Sequence, residues 1–185
     1  MRQPGRSGLP DHIVSSAQIY GSTTTLLRHT LRRFGIETSF VDVNDHTAIQ
    51  AAIRPETRLL FCESIGNPGL DIADIPALAA IASGTRIPLV VDATFATPAL
   101  QNPLTLGAHV VVHSLTKWIG GSGNAMGGAI IDGGNFDWGR AAGRFPTLTE
   151  PYAPFHGINF WEEFGPAALT AMVKQPLPAF RPRPS

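Results

Sequence analysis

Three groups of residues in this 185-residue chain combine reactive side chain types with positions that could bring them together. The first centres on Lys117, in His113-Ser-Leu-Thr-Lys-Trp-Ile-Gly-Gly121. An apolar run leads straight into it and glycines follow. Most lysines are solvated surface residues, and that plain reading applies here too. A lysine between Thr116 and Trp118 at the end of a buried strand is instead expected to be partly desolvated. Desolvation favours the free amine that forms a Schiff base. Ser114 and Thr116 can donate hydroxyl hydrogen bonds to a phosphate beside it, or cap the local backbone. The second group centres on Asp92, which ends Pro88-Leu-Val-Val-Asp92. A carboxylate closing a buried run calls for a cationic partner. Arg86 is near in sequence; a protonated pyridine nitrogen is the functional alternative, because an aspartate there keeps the ring able to accept electrons from a carbanion. The third group is Asn67 and Tyr20. Asn67 is either a turn residue before Pro68 or a donor to a ring oxygen. Tyr20 either packs in the ordinary way or stacks on a ring face.

The elements that would position these residues alternate between strand and helix. Ile13 to Ser16, Glu37 to Val43, Leu59 to Glu63, Leu89 to Asp92 and Val110 to Ser114 read as strands, with Ala129 to Asp132 as one more. Thr23 to Phe34 carries Leu26, Leu27, Leu31 and Phe34 at helical spacing, and Gly35 is its stop signal. Asp45 to Ile53 reads as a short helix with Asn44 or Asp45 as its N-cap. Ile75 to Ser83 reads as a helix closed by Gly84, and Pro166 to Val173 as another. Near-continuous apolar strands separated by helices imply an α/β fold, a mostly parallel sheet with helices on both faces. Ligands bind outside the carboxyl ends of such strands. Glu63 and Asn67, Asp92 and Thr94, and Ser114 to Lys117 all fall at or just past strand ends. They are expected to meet on one rim.

Bulk properties narrow the function classes. The chain is 43% hydrophobic and 15% charged, which suits a globular protein. Lysine plus arginine equals aspartate plus glutamate, so charge gives no reason to expect nucleic acid or an anionic membrane as partner. No apolar run approaches the ~20 residues of a membrane span. The start lacks the apolar stretch of a secretory signal, and a cytoplasmic location is the default expectation. Cys62, the single cysteine, sits in an apolar run and reads as a small buried hydrophobe rather than a reactive thiol. His109 and His113 share a strand face without converging, so no metal site is expected.

Taken together, these residues resemble the Cys/Met-metabolism family of pyridoxal-phosphate (PLP) enzymes, which includes cystathionine γ-synthase and O-acetylhomoserine sulfhydrylase. The resemblance runs from about Asp11 to Met172. Its carriers are Ser114-Leu-Thr-Lys117-Trp-Ile-Gly-Gly-Ser-Gly, Val91-Asp-Ala-Thr-Phe-Ala-Thr-Pro98, Glu63 to Pro68, and Tyr20-Gly. Gly133-Gly-Asn-Phe-Asp-Trp138, with Phe145 to Phe164, is similar to the O-acetylhomoserine sulfhydrylase branch. Ser122, Ala93 and Ser22 differ from the histidine, asparagine and glycine common in relatives.

The resemblance implies a fold type I PLP-dependent transferase fold, its large domain, truncated at both ends. It implies a partial PLP-binding domain at 11–146 and a connecting segment at 147–173 towards a missing C-terminal domain; composition instead gives the expected unstructured start at 1–10 and the proline-rich tail at 174–185, expected to be disordered. It implies that Lys117 forms the Schiff base and moves protons at substrate Cα and Cβ. Asp92 would pair with the pyridine nitrogen, Tyr20 stack on the ring, and Asn67 contact its phenolic oxygen. Thr94 would line the ring, while Ser114 and Thr116 hold the phosphate. The implied reaction is γ-replacement, in which an O-acetylhomoserine-like amino acid exchanges acetate for sulfide or a thiol. Intact relatives are expected to be homo-oligomers. The Gly-Met and Tyr-x-Arg phosphate-binding motifs of relatives are not seen, so an incomplete copy is expected, binding PLP weakly and not turning over alone. An inactive remnant that binds PLP weakly or not at all is the non-enzyme alternative. Ser114-Leu-Thr-Lys117 also satisfies the Ser-x-x-Lys pattern of acyl-transfer enzymes, without its companion motifs.

Overall fold

The computed structural model describes residues 11–174. The expected unstructured start (1–10) and all but Lys174 of the expected proline-rich tail lie outside the described residues. By contacts the chain divides into two compact units, Met1–Gly133 and Gly134–Ser185.

The first unit is built on one six-stranded sheet of order β2-β1-β3-β4-β5-β6. The strands are β1 (Asp11–Ser16), β2 (Ile36–Val41), β3 (Thr57–Glu63), β4 (Leu89–Asp92), β5 (Val110–Ser114) and β6 (Gly128–Asp132). The first five run parallel. Only β6 is antiparallel, pairing Ser114 with Gly128. The chain leaves β1 for one side to make β2, then crosses to the other to make β3. The carboxyl ends of β1 and β3 therefore flank the switch in strand order, where doubly wound sheets open a crevice.

Period-two alternation splits the apolar residues between two faces. On one face Val14, Leu60, Cys62, Leu89, Val91 and Val111 pack with Ile49 of α2 (His46–Ala52) and with Ile75, Leu78 and Ala82 of α3 (Ile75–Thr85). On the other, Ile13, Leu59, Phe61 and Phe40 meet Leu27 and Leu31. Those leucines belong to a helical segment that starts as α1 (Gly21–Thr25) and continues through a π-helical turn (Leu26–Thr30) and a 3-10 turn (Leu31–Phe34). It ends at Gly35, whose φ of +77° only glycine adopts freely. In β3, Glu63 continues the Leu59, Phe61 row, so its side chain lies on the α1 side of the sheet at the carboxyl end.

Helix boundaries follow local chemistry. Asp45 caps α2, its Oδ1 accepting from the Ala48 N–H at 2.8 Å. Asp74 caps α3 in the same way, accepting from the Ala77 N–H at 3.1 Å. The expected stop of α3 at Gly84 is corrected by the structure. The helix runs to Thr85, whose hydroxyl donates back to the Ile81 carbonyl at 2.8 Å, and the left-handed residue that ends it is Arg86 (φ +57°). Short helices such as α4 (Thr97–Leu100) are too brief for periodicity to reveal.

The second unit has a small aromatic core of Phe136, Trp138, Leu148 and Phe160, with Phe145 and Tyr152 against it. Trp138 and Phe145 meet edge to face at 5.0 Å between ring centroids, a favoured arrangement. Its helices are α5 (Pro146–Thr149), α6 (Phe160–Phe164) and α7 (Ala168–Val173). Asn159 caps α6 by accepting from the Trp161 N–H. Among the described residues no helix is long and apolar enough to cross a membrane.

Candidate active site

A cavity of about 440 Å³ lies at the carboxyl ends of the parallel strands. Every candidate from the sequence lines it: Tyr20 after β1, Asn67 after β3, Asp92 and Thr94 at the end of β4, and Ser114, Thr116 and Lys117 at the end of β5. The common cause is the parallel sheet, which delivers each strand's last residue to the same rim.

Lys117 sits in a π-helical turn (Leu115–Ile119) that departs from β5 and kinks at the lysine itself (φ −93°, ψ −123°). Its Nζ stands over the Tyr20 ring, 5.7 Å from the centroid, a cation facing a π surface. The desolvation expected of this amine is not what the structure has. Lys117 is exposed, because the turn and the glycines after it carry the residue off the buried strand. Tyr20 is also exposed, at 44%, which leaves ring surface available in the cavity.

Asp92 is half-buried and does not pair with Arg86; among the described residues no ion pair joins them, and Arg86 is the exposed C-cap residue of α3. Its Oδ1 instead accepts from both the backbone N–H of Thr94, at 2.9 Å, and the Thr94 hydroxyl, at 2.5 Å. The Thr94 Oγ1 in turn accepts from the Ser114 N–H at 2.8 Å. This hydroxyl thus ties the end of β4 to the end of β5 and aims the carboxylate. Among the described residues no hydrogen bond reaches the Asp92 Oδ2.

The hydroxyls near Lys117 divide. Thr116 Oγ1 donates to the Gly127 carbonyl at 3.2 Å and accepts from the Gly127 N–H at 3.0 Å, so it braces the loop leading to β6. This is the capping alternative for that residue. Among the described residues the Ser114 hydroxyl has no such bond, and none joins it to Lys117, as a Ser-x-x-Lys pair would need.

Glu63 is the cavity residue to which the sequence reading gave no role. It is buried, at 7% exposure, and its register partner on β4 is Asp92. Its Oε1 accepts from the Tyr20 N–H at 2.7 Å, and the Asn67 N–H lies near the carboxylate. Burial pushes its carboxyl up to about 7; the Tyr20 hydrogen bond opposes this, the Asp92 charge adds to it, and the nearby Asn67 N–H opposes it. The signal was present: like Asp92, it is a carboxylate closing an apolar strand. Phe95 and Trp118 complete the apolar wall, their rings 6.3 Å apart.

Two buried groups lie on the other face and take no part. Burial pushes the Cys62 thiol up to about 12, so it stays protonated and inert. His109 accepts from the Leu89 N–H at 2.9 Å in a buried site and serves the join of β4 to β5.

Comparison with known proteins gives a consistent result. Residues 7–158 match the family model described as "Cys/Met metabolism PLP-dependent enzyme". The chain is 47% identical over 153 residues to an O-acetyl-L-homoserine sulfhydrylase of Leptospira meyeri, covering 83% of this chain and 34% of that protein. It is 46% identical over 167 residues to the O-acetyl-L-homoserine sulfhydrylase of Corynebacterium glutamicum, covering 87% and 38%. Among solved structures, a Campylobacter jejuni protein described as an O-acetylhomoserine (thiol)-lyase, holding N'-pyridoxyl-lysine-5'-monophosphate, superposes with a TM-score of 0.82 at 34% identity. That match covers 90% of this chain and 41% of the other. The O-acetylhomoserine sulfhydrylase of Wolinella succinogenes matches with a TM-score of 0.74 at 38% identity, covering 90% and 43%. The chain spans well under half the length of these relatives.

Proposed function

The chain belongs to the Cys/Met metabolism PLP-dependent enzyme family, and on that premise we propose that its cavity holds pyridoxal phosphate for an O-acetylhomoserine sulfhydrylase. The reaction is replacement at substrate Cγ: the bond to acetate breaks, sulfide or a thiol bonds in its place, and homocysteine or methionine results. The fold is that of fold type I PLP-dependent enzymes, supported by the likeness to the two solved structures.

The observation that carries the reading is that an amine, a half-buried carboxylate and an open aromatic face line one cavity. That donor set fits a ring with an aldehyde and a basic nitrogen. Lys117 is the residue that would bond the aldehyde carbon, and its released amine would move protons at substrate Cα and Cβ. Tyr20 would cover one ring face. Asp92, held by Thr94, would keep the ring nitrogen protonated, since a carboxylate beside it favours the charged form. Asn67 would donate to the phenolic oxygen. The Ser114 hydroxyl would reach the phosphate; Thr116 would do so only by giving up its bond to Gly127. When bound, the cofactor supplies the electron sink for carbanion chemistry. A homo-oligomeric intact protein belongs to the same proposal.

The test is an absorbance titration with pyridoxal phosphate. A violet band that borohydride removes, absent in Lys117→Ala, is the expected outcome. Product formation from O-acetylhomoserine and sulfide then tests the reaction. Equal bands in the unaltered chain and in Lys117→Ala would rule out the assignment of the amine.

A further inference from the structure

Glu63 has a geometry that its neighbours on the rim lack. Its carboxylate accepts from the backbone N–H of Tyr20, in the loop after β1, and lies near the backbone N–H of Asn67, in the loop after β3. Those two N–H groups belong to residues whose side chains line the cavity. The loops also touch directly. A Cβ built on Gly66 would lie 2.8 Å from the Gln18 carbonyl oxygen, closer than real Cβ contacts come. The close approach at Gly66 and the carboxylate at Glu63 are independent constraints on one spacing. They act at the switch in strand order, between the ends of β1 and β3.

We propose that Glu63 is a positioning residue: its carboxylate joins the backbone of the Tyr20 loop to that of the Asn67 loop and sets the separation of those two side chains across the cavity. The inference rests on the reading that this cavity takes pyridoxal phosphate. Under it, Tyr20 and Asn67 address different features of the same ring, the face and an edge oxygen. A carboxylate suits the task better than an amide. It accepts on both oxygens, whereas a glutamine would turn an NH₂ group towards one of the two donors. Burial of a carboxylate beside Asp92 is unfavourable, and the Tyr20 hydrogen bond with the nearby Asn67 N–H is what offsets it. The raised carboxyl fits this balance, with burial and Asp92 raising it and both N–H groups opposing.

The test uses the whole chain, with pyridoxal phosphate as the probe and two readouts. Hydrogen exchange reads the Tyr20 and Asn67 amides with no cofactor present. Absorbance and visible circular dichroism read the lysine-bound cofactor, the dichroism reporting how the ring is held. Glu63→Gln is expected to speed exchange at one of the two amides by about tenfold while the Leu60 and Val91 amides keep their protection. It is expected to weaken pyridoxal phosphate binding about tenfold and to alter the visible dichroism while keeping the Lys117-dependent band. Gly66→Ala, which leaves the carboxylate in place and wedges the loops apart, is expected to alter the dichroism too. Should Glu63→Gln not fold, Glu63→Asp decides by the same readouts, because its shorter side chain cannot span both loops. Unchanged exchange and dichroism, with the band intact, overturn the positioning role alone. Loss of the band in the unaltered chain overturns the cofactor reading and the inference with it.

Discussion

Asp92 gives one carboxylate oxygen to its own loop and leaves the other without a hydrogen bond among the described residues, at a cavity wall. A substitution can therefore separate its two roles. In Asp92→Asn the side-chain oxygen still accepts from Thr94, so the β4 end keeps its shape, but the charge is gone. Charge-assisted hydrogen bonds contribute about 1.5–3 kcal/mol. Pyridoxal phosphate affinity should then fall by roughly ten- to a hundredfold, read by absorbance titration. Equal affinity in the two proteins would mean that Asp92 does not meet the ring nitrogen. The positions of Lys117, Asp92, Tyr20 and Asn67 were legible in the sequence because parallel strands that follow one another send their last residues to one rim. The hydrogen bonds were not. Glu63 takes its partners from backbone N–H groups, which every residue but proline carries, so nothing in the sequence marks them. The exposure of Lys117 depends on a kinked turn with no periodic signature.

At the scale of elements, α3 can be dissected into its cap and its packing. Asp74 is an exposed-side cap, and replacing it with alanine should destabilise the protein by about 1 kcal/mol. Leu78 is 1% exposed and packs in the larger cluster of the sheet. Leu78→Ala should cost about 2–5 kcal/mol through lost transfer energy and the cavity left behind. Urea unfolding measures both, and a larger loss at Asp74 than at Leu78 would contradict this account of what holds the helix. β4 and β5 matched their sequence limits because continuous apolar runs ended by a carboxylate and a serine leave little choice of boundary. The end of α3 did not. Gly84 looked like a stop, but Thr85 bonds back to Ile81 and the left-handed turn falls on Arg86. Tertiary packing of Ile87, fully buried just beyond, fixes where the helix must release the chain. The direction of β6 was equally beyond local pattern, since strand orientation is a property of the connection and not of the strand.

The whole molecule should carry the rim's electrostatics in its stability. Glu63 is a carboxyl whose folded-state value lies near 7, against 4.5 for the ordinary side chain. Between those values the folded protein holds a proton that the unfolded chain has released. Raising the pH across this window therefore favours unfolding, and the unfavourable contribution is complete above about 7. His12 and His109 act in the opposite sense. Burial lowers both below 6.5, so the unfolded chain binds protons first and stability falls as the pH drops through that region. His12 is held by Thr57 at 2.9 Å and Ser39 at 3.0 Å, across three neighbouring strands, and its neutral form is part of the sheet. A single pH curve mixes these opposing slopes, but a difference isolates one. Glu63→Gln removes the carboxyl and leaves both histidines in place. The urea midpoint of Glu63→Gln, minus that of the unaltered chain, should rise from pH 4.5 to 7 and then level off. A difference flat across that range would show that Glu63 titrates in the folded protein as it does in the open chain, and the buried environment assigned to it would be wrong.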